Sequence, residues 1–163
     1  MKKVQMFDLL IQRVKAAREL ADLRQKASQS EANMHVGAMA SRYDTFKEEA
    51  QYLAGAQGLR AHELSKELFD LQRLRELILQ NAIPTNRVCL GNIVVVENES
   101  GEKKNYLVAS GSGGQLVETD KGMFQVVTPM SPLGRALVGK KMGENIEVVL
   151  GGIGLTFEVI AIE

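Results

Sequence analysis

No proline occurs before Pro84, and this restricts the first half of the chain more than any other feature. From Val4 to about Ala38 the only glycine is Gly37, and Ala, Leu, Gln, Lys, Arg and Glu dominate, so one long helix is expected. Phe7, Leu10, Val14, Ala17 and Ala21 recur at 3-4-3-4 spacing, the a/d seam of a coiled coil. Beyond Ala21 the register meets Arg24 and Ser28, so the seam becomes small and polar.

A second helical arm is expected from about Lys47 to Gln80. Ala50, Ala54, Gln57, Ala61, Leu64, Leu68, Leu71, Arg75 and Ile78 keep the same spacing. Its large side chains come late and its alanines early. Large residues meet large ones, and small meet small, only if the two arms run antiparallel as an αα-hairpin. Gly55 and Gly58 each cost about 1 kcal/mol relative to alanine in a helix, and close helix approach is the simplest reason for them. A two-helix hairpin buries little apolar surface per residue, so it is expected to depend on docking to the second half.

At Pro84 the pattern changes. Proline cannot continue the helix and biases Ile83 away from helical angles. Period-2, β-branched runs follow: Asn92–Glu97 and Asn105–Ala109 around a turn at Glu99–Glu102, then Phe124–Thr128, Ile146–Leu150 and Leu155–Ile162, the last two around Gly151-Gly152. Ser131 before Pro132 is an N-cap followed by N1, and Gly139 stands at the C′ position of a short helix. Met130 and Met142 flank that helix and read as core filling, with an adaptable interface as the alternative. The fold class is therefore α+β: residues 1–82 form an antiparallel coiled-coil helical hairpin with its tip at about 39–48. Residues 83–163 form a small antiparallel β-sheet domain with one short helix.

Composition narrows the function. The 163 residues are 45% hydrophobic and 25% charged with zero formal net charge, ordinary for a globular protein. Residues 1–82 hold 13 basic and 11 acidic side chains and residues 83–163 hold 7 and 9, a balance that argues against wrapping nucleic acid through many phosphates and makes any nucleic-acid role local or indirect. Asp8, Arg13 and Lys15 break the opening stretch before it is long enough for a signal peptide or membrane span, so a cytoplasmic protein with no membrane partner is expected. The lone Cys89 has no disulfide partner and reads as a buried structural thiol, and His35 and His62 lack zinc spacing. The glycine cluster Ser110–Gly114 has no Walker spacing and reads as a flexible loop.

Between the arms lies Ser41–Tyr52, SRYDTFKEEAQY, with Asp44, Glu48 and Glu49 as tip carboxylates and Tyr43 and Phe46 as tip aromatics. A coiled-coil end has little core, so the aromatics are expected to pack across the turn or to contact a partner. The carboxylates have two readings. Thr45 and Glu48 fit a capping box, in which each side chain bonds the other's backbone N–H. Alternatively, an oxygen-only tip suits Mg²⁺, which takes one or two carboxylates plus water.

Ser131–Val148, SPLGRALVGKKMGENIEV, resembles the signature of the carboxy-terminal domain of the Gre transcript-cleavage factors of bacterial RNA polymerase. The order of a coiled-coil hairpin followed by an FKBP-like domain is similar too. The resemblance implies a hairpin inserted into the polymerase secondary channel and a second domain docked at its rim, with Ser131, Pro132, Arg135, Lys140 and Lys141 as docking candidates. It implies that tip carboxylates hold a Mg²⁺ shared with the polymerase, so that a backtracked transcript is cut by the polymerase itself. On this reading Asp44 and Glu48 are metal ligands only in the complex. The factor has no catalytic residues of its own and binds no cofactor stably. At the tip, Glu48, Ala50 and Tyr52 fall on the family's Glu, Ala and Tyr, whereas Thr45 stands where the family's aspartate is expected and Asp44 lies one residue earlier. An FKBP-like fold raises prolyl isomerase activity, but Tyr106, Phe124 and Phe157 are too few aromatics for such a pocket.

The expected function is thus an RNA polymerase-binding elongation factor, monomeric and touching nascent RNA and DNA only indirectly. The alternatives are a non-cleaving regulator or inhibitor in the same channel, and a coiled-coil interaction module with no transcriptional target.

Overall fold

The computed structural model describes residues 2–34, 43–120 and 122–163, without the side chains of residues 2, 32–34, 43, 44, 46 and 150. The chain divides into two compact units, one of Met1–Ile11 with Phe69–Glu163 and one of Gln12–Leu68.

Helices α1 (Lys2–Met34) and α2 (Tyr43–Leu79) follow the two proline-free stretches. Among the described residues of the Gln12–Leu68 unit, the buried side chains are Val14 and Ala21 of α1 with Ala50, Ala54, Ala61, Leu64 and Leu68 of α2. A Cβ built on Gly58 would lie 2.9 Å from Gln25 Nε2, so Gly58 marks a close approach of the helices, whereas a Cβ on Gly55 would meet open space, so close approach does not account for that glycine. In the other unit Asp8 pairs with Arg75 at 2.5 Å. Early α1 therefore meets late α2 and late α1 meets early α2, the antiparallel arrangement. The seam departs from the expected register in two places. Ala17 is exposed, and Leu74 is buried while the neighbouring Arg75 turns its guanidinium to Asp8, whose carboxylate holds Arg75 above its ordinary value.

The sheet has six strands: β1 (Ile93–Asn98), β2 (Lys103–Val108), β3 (Leu116–Thr119), β4 (Gly122–Val127), β5 (Asn145–Leu150) and β6 (Ile153–Ile162), in the order β3-β4-β2-β1-β6-β5. All pairs are antiparallel except β2–β4, which is parallel over Tyr106–Val108 and Gln125–Val127. The short strand β3 carries the chain to the sheet edge and back, so β4 enters beside β2 in the same direction. No local sequence signal announces this pairing. Gly151 and Gly152 form the two-residue β5–β6 turn, both at positive φ (60° and 84°), the geometry that two-residue hairpins favour.

One sheet face packs on α3 (Pro132–Leu137). Val94 and Val96 of β1, Tyr106 and Val108 of β2, Ile146 and Val148 of β5, and Phe157 and Val159 of β6 form this core with Leu133 and Leu137. The cross-strand partners Ile93 and Leu107 are buried as well, outside that cluster. In the same unit a Cβ on Gly91 would fall 2.2 Å from Ile83 Cδ1 and 3.8 Å from Ile78 Cγ1, so the end of α2 packs directly onto the backbone before β1.

Asn92 is the one buried polar side chain among the described residues. Its Oδ1 accepts from Cys89 N (2.7 Å) and Cys89 Sγ (3.0 Å), and its Nδ2 donates to Pro84 O (3.1 Å) and Glu163 O (3.3 Å). Cys89 is half-buried rather than fully buried. Burial pushes its thiol up, and the nearby Lys3 ammonium partly offsets this.

Candidate functional site

Helix α2 is described from Tyr43 onward, so positions 44, 48 and 49 lie within the helix. Thr45 follows two helical residues and is therefore not the cap, which moves it out of the place a Thr45–Glu48 capping box requires. Residues 39–42 of the expected tip, including Ser41, lie outside the described residues, as do the side chains of Tyr43, Asp44 and Phe46. At the backbone level, positions 44 and 48 stand four apart in one helix, and such positions share a helix face.

Ala50 and Ala54 take the buried side of α2, which leaves Thr45, Glu48 and Glu49 exposed. Tyr52 follows Glu48 by four residues and Leu59 follows Tyr52 by seven, so all three share the outward face. Tyr52 is 78% and Leu59 69% exposed. In the sequence Tyr52 stood out only as the match to the family's tyrosine and Leu59 did not stand out, although their i, i+4, i+11 spacing from Glu48 was available as a signal. The described donors are carboxylate oxygens without sulfur or imidazole, a set that suits Mg²⁺ over a softer metal. Among the described residues no group of three or more His, Cys, Asp or Glu side chains converges.

The second candidate surface surrounds α3. Ser131 caps the helix: its Oγ accepts from Gly134 N at 3.0 Å and donates to Thr128 O at 2.8 Å. Pro132 occupies the first helical position and is exposed. Gly134 is buried, and a Cβ there would stand 1.9 Å from Thr128 O, so the position has no room for a side chain. Of the basic candidates, Arg135 and Lys141 are exposed, whereas Lys140 is half-buried and its Nζ donates to Asn145 O at 3.1 Å. Met130 and Met142, read as core filling, are both exposed, as is Val138. The core under α3 is already filled by Leu133 and Leu137, which leaves the two methionines out of it.

Two long antiparallel helices with an acidic start to the second, followed by a six-stranded sheet closed by a Ser-Pro-capped helix, define a two-part helical-hairpin and sheet protein. Comparison with known proteins gives the family. Residues 83–163 match the family described as transcription elongation factor, GreA/GreB, C-terminal domain. The chain is 30% identical over 149 residues to transcription elongation factor GreA of Thermosipho melanesiensis, covering 91% of this chain and 76% of the relative. It is 29% identical over 153 residues to GreA of Paracoccus denitrificans, covering 88% of each. Among solved structures, GreA factor homolog 1 (Gfh1) of Thermus thermophilus is similar over 94% of each chain at 18% identity and a TM-score of 0.38. That last likeness is too loose to add to the sequence matches. The chain belongs to the GreA/GreB family of transcription elongation factors.

Among the described residues, no helix is long and apolar enough to cross a membrane.

Proposed function

We propose that this protein binds bacterial RNA polymerase and acts on elongation through the secondary channel, with the start of α2 reaching the polymerase active centre. The observation that carries the reading is the exposed Glu48 on the outward face of α2, four residues after Asp44 in the same helix, in a chain whose relatives are named transcription elongation factor GreA. In the complex, Asp44 and Glu48 would hold a Mg²⁺ shared with the polymerase. A second divalent ion at such a site stabilises charge on the attacking or leaving oxygen of a phosphoryl group. The chain's own part is to present and orient two carboxylates; it contributes no nucleophile or general base, and the polymerase is the enzyme. Ser131 shapes the α3 corner, and Pro132, Arg135 and Lys141, with Lys140 at the margin, face the polymerase.

The test is the addition of the protein to stalled, backtracked elongation complexes. Shortened transcripts are expected, with loss of cleavage in Glu48→Ala and in Asp44→Ala and retained polymerase binding in both. A second reading, a channel occupant that inhibits without cleaving, is favoured by one observation: Thr45 stands where the family resemblance places the aspartate. It predicts slowed elongation with no shortened transcripts. Absence of any binding to polymerase would remove both readings and leave a coiled-coil interaction module.

A further inference from the structure

Helix α1 carries a second heptad seam on the side away from its buried residues. Ala16, Leu20, Leu23 and Ala27 recur at 4-3-4 spacing and all are exposed, Leu20 by 47% and Leu23 by 64%. The inward seam of the same stretch uses Val14 and Ala21, so the outward one has no role in the hairpin. Apolar a/d positions at this spacing are what a further helix packs against. The positions flanking the seam hold charges of both signs: Glu19, Arg24, Lys26 and Glu31, all exposed. Among the described residues none of these four is taken up in an ion pair; the nearby Arg18–Asp22 pair, at 3.8 Å, lies off the seam.

We propose that this face is a self-association surface, and that its occupant is the same seam of a second copy of the chain. Two features select a second copy. The seam is self-matching, with leucines at its centre and alanines at both ends, so leucine meets leucine and alanine meets alanine whichever way the copies run. Its flanks are self-complementary as well. In parallel pairing Glu19 faces Arg24 of the second copy and Lys26 faces Glu31. In antiparallel pairing Glu19 faces Lys26. Neither direction sets like charges among these four against each other, a match that an unrelated partner helix would have to reproduce. Four short-to-medium side chains per copy make a small interface, which places the dimer in the weak, reversible class. The monomer expected from sequence is then the dilute species, and the dimer forms on concentration with one side of α1 covered.

Sedimentation equilibrium of the full chain over roughly 10 µM to 1 mM reads this directly. A concentration-dependent dimer is expected. It is lost in Leu20→Glu with Leu23→Glu, a pair whose exposure leaves helix content by circular dichroism unchanged. Glu19→Lys alone weakens the dimer by about 10-fold, because the new lysine meets a cation in either direction. The double variants decide the rest: Glu19→Lys with Arg24→Glu restores a parallel dimer, and Glu19→Lys with Lys26→Glu restores an antiparallel one. A chain that stays monomeric throughout overturns the proposal. So does a dimer that the leucine variants leave intact, or one that neither double variant restores.

Discussion

The Asn92 amide donates to the Pro84 carbonyl at 3.1 Å, joining the buried first residue before β1 to the proline that ends the helical half. The same side chain holds Cys89 N and Glu163 O, so one residue satisfies backbone groups from three places in the chain. Asn92→Ala removes these partners and leaves buried polar groups unpaired. The expected cost is about 2–4 kcal/mol, read from the midpoint of urea unfolding. Asn92→Asp keeps the acceptor for Cys89 N but sets carboxylate oxygens against two carbonyls, so it does not rescue stability.

At the α3 corner, fold and docking are separable. Ser131→Ala loses an N-cap and is expected to cost about 1 kcal/mol. Gly134→Ala is more damaging, about 3 kcal/mol or more, because its Cβ would overlap the Thr128 carbonyl oxygen and a backbone atom cannot swing away. Arg135→Ala and Lys141→Ala change exposed side chains and should unfold at the parent temperature. A loss of polymerase affinity in these two variants, measured alongside thermal unfolding, therefore reports contact.

Tyr52→Ala and Leu59→Ala should leave stability within about 0.5 kcal/mol of the parent, since both side chains lie outside the hairpin core. Weakened action on elongation complexes with an unchanged melting curve would place the outward face of α2 against the polymerase. A marked drop in melting temperature would show that the face is buried in solution.

Cys89 should alkylate slowly. Burial raises its pKa, so the reactive thiolate is scarcer at pH 8 than in a free thiol, and the rate climbs only as pH rises above the ordinary thiol range. Lys3 acts in the opposite sense, so Lys3→Ala is expected to slow alkylation further. The same shift has a stability consequence. A group whose folded pKa is raised keeps its full contribution below the unfolded value, and that contribution is lost as pH rises through the folded value. Denaturation should therefore become easier on the alkaline side by a component that Cys89→Ala removes. Rates of iodoacetamide reaction across pH 7–10 and urea midpoints over the same range check both signs.

The hairpin was legible because Phe7, Leu10, Val14, Leu64, Leu68 and Leu71 obey a helical period, and a period reports which side of a helix is apolar. It does not report how closely two helices approach. Hence Ala17 fits the seam by spacing yet is exposed, and Arg75 occupies a seam position by number while Leu74 is the residue buried. Neighbouring positions differ by only about 100° around a helix, so the long arginine can leave the boundary and reach Asp8. At the tip, the acids could be found by sequence, but Tyr52 and Leu59 acquire significance only once Ala50 and Ala54 define the inward side.

What the sequence by itself determined is what short-range physics controls: two uninterrupted helices, the break at Pro84, the Ser131 cap on α3 and the Gly151-Gly152 turn. Each rests on backbone dihedrals or hydrogen bonds between residues a few positions apart. Tertiary structure alone decided the parallel β2–β4 pairing, the exposure of Met130 and Met142, and the convergence of Pro84, Cys89 and Glu163 on Asn92. These depend on which distant segments compete for the same buried space and the same buried donors and acceptors, a choice that no local pattern encodes.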